Sequence, residues 1–430
     1  MCYHRLSENL SVTPPVWRLW EVAALSANTG AYDLAIVGAG MAGSALAAAL
    51  RGQGLSIALI EARPVTLPSL PELADLGSFD SRVSALNMQS IALLQQLGAW
   101  SAISDYRACA YPRMHVWDAE GTGAIAFDAA EVDCEALGYI VENRVVVHGL
   151  LQQVLPAPDI KILAPHSLQS ITTHSEGVSL TLEGHPEVQA RLLVAADGAL
   201  SSVRSMLDFK TREWDYGHHA IVATVATSQD HENTAWQRFL PTGPLAFLPL
   251  SSPPGQHFCS VVWSLQDDLV EDVLALDDEA FCAELGRAFE QRLGPVLGCS
   301  ARFAFPLRQR HAVDYVRPGV ALVGDAAHTI HPLAGQGINM GFQDVAVMAA
   351  EIIEARRRGL SPGSIEVLRR YQRQRKGENL LMMGAMDGFK FLFEQDALPL
   401  RWLRNVGMKG VASSGPLKRE IMRRAMGLGS

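Results

Sequence analysis

Glycines at 38, 40 and 43, within the stretch YDLAIVGAGMAGSALAAALRGQGLSIALIEAR that spans residues 32–63, have the spacing of a phosphate-binding turn. The first glycine permits a tight turn, the second lets backbone approach a pyrophosphate, and the third lets a helix pack closely on a strand. A helix opening there offers the phosphates its unpaired N–H groups and the positive end of its dipole. Glu61 closes the following apolar run, where a carboxylate can accept from both ribose hydroxyls, which favours FAD or NAD over NADP. A glycine triplet alone also occurs in ordinary Gly-rich turns. The order strand, turn, helix, strand, acid makes this one a dinucleotide site.

Two remote segments bear on which dinucleotide it is. LLVAADGALSSVR sets Asp197 and Gly198 at a strand end, and VALVGDAAHTIHPLAGQGINMGFQDV sets Gly324 and Asp325 at another, before a Pro/Gly-rich loop and a helix expected from near Ile338. NAD needs neither segment, whereas FAD is long enough to need both. Asp325 is then expected to bind ribityl hydroxyls, with N–H groups from Gly335, Gly337 and Asn339 aimed at the isoalloxazine. The helix start would stabilise negative charge developing there. His328 reads first as a histidine that holds the loop by bonding to backbone. His331, beside Pro332, has that reading too, and also a proton-handling one near the expected oxygen site.

The elements that must position these groups follow from apolar periodicity. Residues 31–63 form a βαβ unit, HVWDAEGTGAIAFD reads as a hairpin, and a helix is expected from near Asn143. Alternating runs such as HHAIVATVAT, LAFLPL and FCSVVWSL predict a separate sheet, and the chain past residue 360 reads as mostly helical. The fold class is α/β with an α+β insert. A Rossmann-like FAD-binding domain is assembled from 31–105, 135–205 and 308–358, and a β-sheet substrate domain from 106–134 and 206–307. A helical region covers 359–430, and residues 1–30, which lack the basic-then-apolar order of a secretory signal, read as a loose extension.

Composition narrows the classes further. A net charge of −9 argues against a nucleic-acid surface. Six cysteines without a C-x-x-C pair or a zinc-ligand spacing read as free thiols, so no metal site is expected and a disulfide oxidoreductase is excluded. Eight tryptophans include no W-x-W pair, against a flavin-dependent halogenase. No run of 18 apolar residues occurs, which makes a transmembrane helix unexpected.

The three motifs in this order resemble group A flavoprotein monooxygenases of the p-hydroxybenzoate hydroxylase fold. More narrowly, DSRVSALNMQSIALLQQLGAW, GYIVENRVV, GPLAFLPL, SVVWSL and GDAAHTIHPLAGQGINMGFQDV resemble the ubiquinone-biosynthesis hydroxylases of the UbiH/UbiI/UbiF type, and the resemblance covers about 31–427. It implies hydroxylation of a polyprenylated phenol or quinol through a flavin C4a-hydroperoxide, with O2 as co-substrate and NAD(P)H or another reductant as electron donor. Protein side chains would position the ring and exclude water.

Motif by motif, the resemblance assigns Gly38, Gly40, Gly43, Glu61 and Arg63 to the ADP half of FAD. Arg82 and Arg144 would point toward the cofactor, against a surface ion-pair alternative, and Asp197, Gly324 and Asp325 would line its groove. Pro332, Gly335 and Gly337 would lie against the ring, Asn339 beside them, with His331 and Pro332 the catalytic candidates. Phe247 or Pro249 is expected to face a lipophilic prenylated aromatic substrate, although LAFLPL also suits a sheet core. The tail MDGFKFLFEQDALPLRWLRNVGMKG interleaves aromatic and basic residues. That pattern suits peripheral contact with the inner face of a membrane, a helical cap, or an interface with other ubiquinone-biosynthesis proteins. Localisation is expected to be cytoplasmic. A prenyl-chain reductase, a related monooxygenase on another lipophilic substrate, and a non-catalytic FAD scaffold are the alternative functions.

Overall fold

The strand Ala31–Val37 carries AYDLAIV, and its last four residues are buried. Such a continuous apolar run suits a parallel sheet covered on both faces. It pairs in parallel with Ile57–Ile60 on one side and with Val188–Ala195 on the other. Ile160–Leu163 extends the sheet beyond Ile57–Ile60, and Val320–Leu322 extends it beyond Val188–Ala195, both in parallel. Strands Val316–Arg317, Leu168–His174 and Gly177–Leu182 complete eight. The computed structural model describes residues 31–72, 75–329, 336–394 and 398–428.

Helices Met41–Leu50, Asn143–Val154 and Gln336–Arg357 pack with this sheet into the largest apolar core. Met41–Leu50 is built mostly of alanine, glycine and serine, and seven of its residues are buried, so its neighbours can approach closely. The helix after the glycine-rich loop begins at Gln336, slightly earlier than the sequence pattern suggests.

The predicted second sheet has nine strands. Its centre is the 17-residue strand Thr211–Thr227, flanked by Phe258–Gln266 and Phe303–Ala312. Gly243–Pro249, Thr234–Leu240, Arg113–Asp118 and Ala124–Asp128 continue the sheet outward, the last two as the expected hairpin. Ala108–Tyr111 instead joins Gly138–Glu142 and Val83–Asn87 in a three-stranded sheet. Helices Asp267–Ala275 and Asp278–Ala288 cover one face of the nine-stranded sheet through Val270, Phe281 and Leu285.

Helices Ile365–Glu394, Leu398–Ser413 and Gly415–Ala425 end the described chain. Asn405 fixes the second of these to the outer hairpin: its Oδ1 accepts from Gly123 N at 2.6 Å and its Nδ2 donates to Asp118 at 3.2 Å. No helix among the described residues is long and apolar enough to cross a membrane.

Candidate cofactor and substrate site

At the end of the first strand, Gly38 adopts φ +104°, and a β-carbon on it would lie 2.4 Å from the Ala196 carbonyl oxygen. The turn therefore accepts only glycine there. Gly43 is as constrained, since its added β-carbon would meet the Gly38 oxygen at 1.8 Å. Gly40 is different: nothing lies within 4 Å of that position, and no side chain caps the helix that Gly40 opens. Glu61 reaches back to this turn, its Oε2 accepting from Ala39 N at 2.9 Å. Arg63 extends into solvent, its side chain 88% exposed and its Nε 3.7 Å from Glu61.

Asp197 contributes differently from expectation. Its Oδ2 accepts from Ser202 N at 2.8 Å, Ser202 Oγ at 3.0 Å and Val203 N at 3.2 Å, while Oδ1 is buried without a partner. These bonds fix the short helix Ser202–Met206, whose buried Arg204 donates to the carbonyls of Ala199 and Ala326. Asp197 thus steadies the neighbour of Asp325. Sequence reading missed Arg204, although it lies in the quoted ADGALSSVR.

Gly324 takes φ +58°, and Asp325 beside it is exposed. The mass of protein around this open position raises the Asp325 carboxyl pKa, with His328 and Arg82 pulling the other way. Arg82 is itself exposed and lies 5.2 Å from the ring centroid of Phe305 on the nine-stranded sheet. Arg82 thus neighbours both Asp325, on whose carboxyl it acts, and the nine-stranded sheet.

Arg144 departs from its expected role. Its guanidinium donates to Glu142 Oε2, at 2.9 Å from Nε and 2.6 Å from Nη2, and to the Ser78 carbonyl. Buried Arg107 approaches the other Glu142 oxygen at 2.9 Å. The Arg107–Glu142–Arg144 cluster ties Gly138–Glu142 to the loop before Val83, and Arg144 is committed to it.

His328 holds its loop through a buried carboxylate, where the sequence reading expected a bond to backbone. Its Nε2 lies 2.5 Å from Asp344 Oδ2, and both side chains are fully buried. Asp344 also accepts from Gly324 N at 3.0 Å, Arg375 Nε at 2.8 Å and Asn379 Nδ2 at 3.2 Å. Burial opposes ionisation of Asp344, but His328 and Arg375 outweigh it and hold its pKa below the usual carboxylate range. Asn379 continues to the Tyr315 hydroxyl at 3.3 Å, which contacts His311 Nε2 at 2.9 Å. Desolvation first, then His328, Lys376 and Arg212, push His311 down to about 4. Of this network the sequence reading singled out only His328.

His331, Pro332 and Gly335 lie outside the described residues. Gly337 sits in the first turn of the helix Gln336–Arg357, with open space at its β-position. The Asn339 side chain points into the core, which leaves its backbone N–H for the expected role. Its Oδ1 accepts from Asn87 N at 3.0 Å and Ser90 Oγ at 2.6 Å, and its Nδ2 donates to Ala85 O at 2.8 Å. It clamps helix to strand.

Phe247 is also corrected. It is 1% exposed and stacks on Phe289 with centroids 3.8 Å apart, in the core under the covering helices. Pro249 is buried on the same strand parity. The opposite face carries Ala246, paired with Val262, which pairs in turn with Val222. All three are half-buried, and the register places Phe305 opposite Ala220 on that face. It is therefore the face toward Arg82. Among the tail residues, Lys409 donates to Thr122 Oγ1 at 2.8 Å; the side chains at 389–393, 401, 402 and 404 lie outside the described residues.

These features fit FAD. The β-positions of Gly40 and Gly337 are both open, and Asp325 offers an exposed carboxylate beside Arg82. Residues 31–378 match the family model described as an FAD binding domain. The chain is 39% identical over 397 residues to the 3-demethoxyubiquinol 3-hydroxylase of Escherichia coli (strain K12), covering 92% of this chain and 98% of that protein. It is 38% identical over 396 residues to ubiquinone hydroxylase UbiL of Rhodospirillum rubrum, covering 92% and 89%. With the mitochondrial ubiquinone biosynthesis monooxygenase COQ6 of Homo sapiens, identity is 34% over 454 residues, covering 94% of each. Among solved structures, PqsL, a probable FAD-dependent monooxygenase from Pseudomonas aeruginosa, superposes with TM-score 0.73 at 19% identity, covering 88% of this chain and all of that one. The p-nitrophenol 4-monooxygenase PnpA from Pseudomonas putida DLL-E4 gives 0.73 at 19% identity, covering 91% and 97%. At such identities the structural likeness shows the fold, that of group A FAD monooxygenases.

Proposed function

The chain belongs to the FAD-binding-domain family of flavoprotein monooxygenases, and from that premise we propose that it hydroxylates the aromatic ring of a polyprenylated intermediate in ubiquinone biosynthesis. The observation that carries this reading is Arg82, which acts on the exposed Asp325 and lies over Phe305 on the sheet face that also carries the half-buried, apolar Val222, Ala246 and Val262. Such a surface suits a greasy ring and tail.

FAD, when bound, supplies the redox chemistry that activates O2, with NAD(P)H or another reductant as the electron source. The Gly38–Gly43 turn and the uncapped helix end behind it hold the pyrophosphate. Glu61 takes the adenosine ribose, with Arg63 close by, and Asp325 takes the ribityl chain. Gly337 leaves room for the flavin ring at the start of its helix, and the family resemblance assigns Pro332 and Gly335 to the same ring. The apolar sheet face orients the substrate ring and keeps water from it. His331 is the proton-handling candidate, with Pro332 as its neighbour at the ring. The terminal helices are assigned peripheral contact with the inner face of a membrane or with other enzymes of the pathway, in a cytoplasmic protein.

The test is genetic and chemical together. Strains blocked at each ring hydroxylation are complemented with this gene, and the quinone intermediate that disappears identifies the reaction. Purified protein should be yellow, and anaerobic NADPH or NADH addition, with and without a substrate analogue, should identify the electron donor by loss of flavin absorbance. Failure to restore quinone in every strain would remove the pathway assignment.

A further inference from the structure

Asp344 is completely buried and accepts four hydrogen bonds, from Gly324 N, His328 Nε2, Arg375 Nε and Asn379 Nδ2. A carboxylate offers about four acceptor sites, so this one has none left for a cofactor and acts through its neighbours. Two of those neighbours, Gly324 and His328, bracket Asp325 in sequence. The His328 ring is held at one end only: its Nε2 meets Asp344, and its Nδ1 is buried without a partner. Gly324, at φ +58°, lies against the first helix, where a β-carbon on it would come within 3.4 Å of Ala42 Cβ. The turn is therefore set between the pyrophosphate-side helix and Asp344.

We infer that Asp344 and His328 form a positioning clamp for the Gly324–Asp325 turn, setting where the Asp325 carboxylate meets bound FAD, an inference that rests on the FAD reading above. The clamp holds the exposed acid from behind, at both of its flanks.

The experiment measures FAD affinity of flavin-stripped protein by fluorescence quenching, alongside thermal melting of the same apo-protein. Asp325→Asn should weaken binding. His328→Ala should weaken it by about ten-fold or more, as expected for losing a buried bond to a charged group. His328→Gln, whose amide can still donate to Asp344, should stay within about three-fold of wild type. Because both residues act through one contact, Asp325→Asn added to His328→Ala should cost little more than either alone. Should His328→Ala fail to fold, Asp344→Asn replaces it in the same cycle with the same expected loss and non-additivity. Wild-type-like affinity of His328→Ala, or independent multiplication of the two losses, overturns the clamp. Absence of FAD binding by the wild-type protein instead overturns the FAD reading, a distinguishable result.

Discussion

A β-carbon on Gly43 would lie 1.8 Å from the carbonyl oxygen of Gly38, whereas one on Gly40, between them in sequence, would meet nothing within 4 Å. The three glycines of one motif thus answer to two demands, Gly38 and Gly43 to the protein's own packing and Gly40 to what the turn binds. Gly43→Ala should lower unfolding free energy by about 3 kcal/mol, the upper range for overpacking, as read by urea denaturation of apo-protein. Gly40→Ala should leave that curve in place and weaken FAD binding, measured by flavin fluorescence.

Breaking the Arg107–Glu142–Arg144 cluster should be costly without touching the reaction directly. Glu142→Gln leaves two cationic groups against a buried neutral amide, and the expected loss is about 3 kcal/mol. Arg63→Ala, at a side chain 88% exposed, should change stability by no more than a few tenths of a kcal/mol. Denaturant titration of both variants checks the contrast.

The two faces of the strand Gly243–Pro249 should separate stability from substrate binding. Phe247→Ala removes the stack on Phe289 and should cost about 3–5 kcal/mol. Ala246→Leu, on the face toward Arg82, should raise KM for the prenylated substrate while moving the melting temperature by only a few degrees. An unchanged KM in Ala246→Leu would remove this face from the substrate site.

His311 gives stability a pH dependence with a definite sign. Its pKa in the folded chain is pushed down to about 4, while in the unfolded chain it stays near the usual value of about 6.5. Between these values the unfolded state binds more protons, so stability is full above about pH 6.5, falls as pH drops toward about 4, and is flat below that for this group. The total contribution is on the order of 3 kcal/mol. His311→Gln should flatten the wild-type slope in that window, as followed by urea midpoints from pH 7 to pH 4.

The dinucleotide turn, the second sheet and the late helices were legible because each is written in local spacing: glycines at fixed offsets, alternation, and 3.6-residue periodicity. Polar pairing was not. Nothing near Asp344 announces Arg375, Asn379 or His328 as its partners, since only the packing of two long helices on the strand end brings them together. Nor does anything near Asn339 announce that its side chain bonds to residues 85–90. In LAFLPL the alternation separates Phe247 from Ala246 but leaves open which face is covered, because the covering residue Phe289 comes some forty positions later. Arg144 stands two residues from Glu142, which allows an ion pair, and burial of Glu142 enforces it.

The order of strands in the parallel sheet has a consequence for how the protein is made. Ala31–Val37 is made before its partner Val188–Ala195, which follows some 150 residues later, and Val320–Leu322, which closes the sheet beyond that strand, comes later still. Until then the first βαβ unit carries an open, apolar strand edge of the kind that recruits foreign strands. Translation must therefore run through most of the chain before the dinucleotide fold can close. Chaperone protection of the Ala31–Val37 edge during synthesis, more than the strength of the finished core, should govern the yield of native protein.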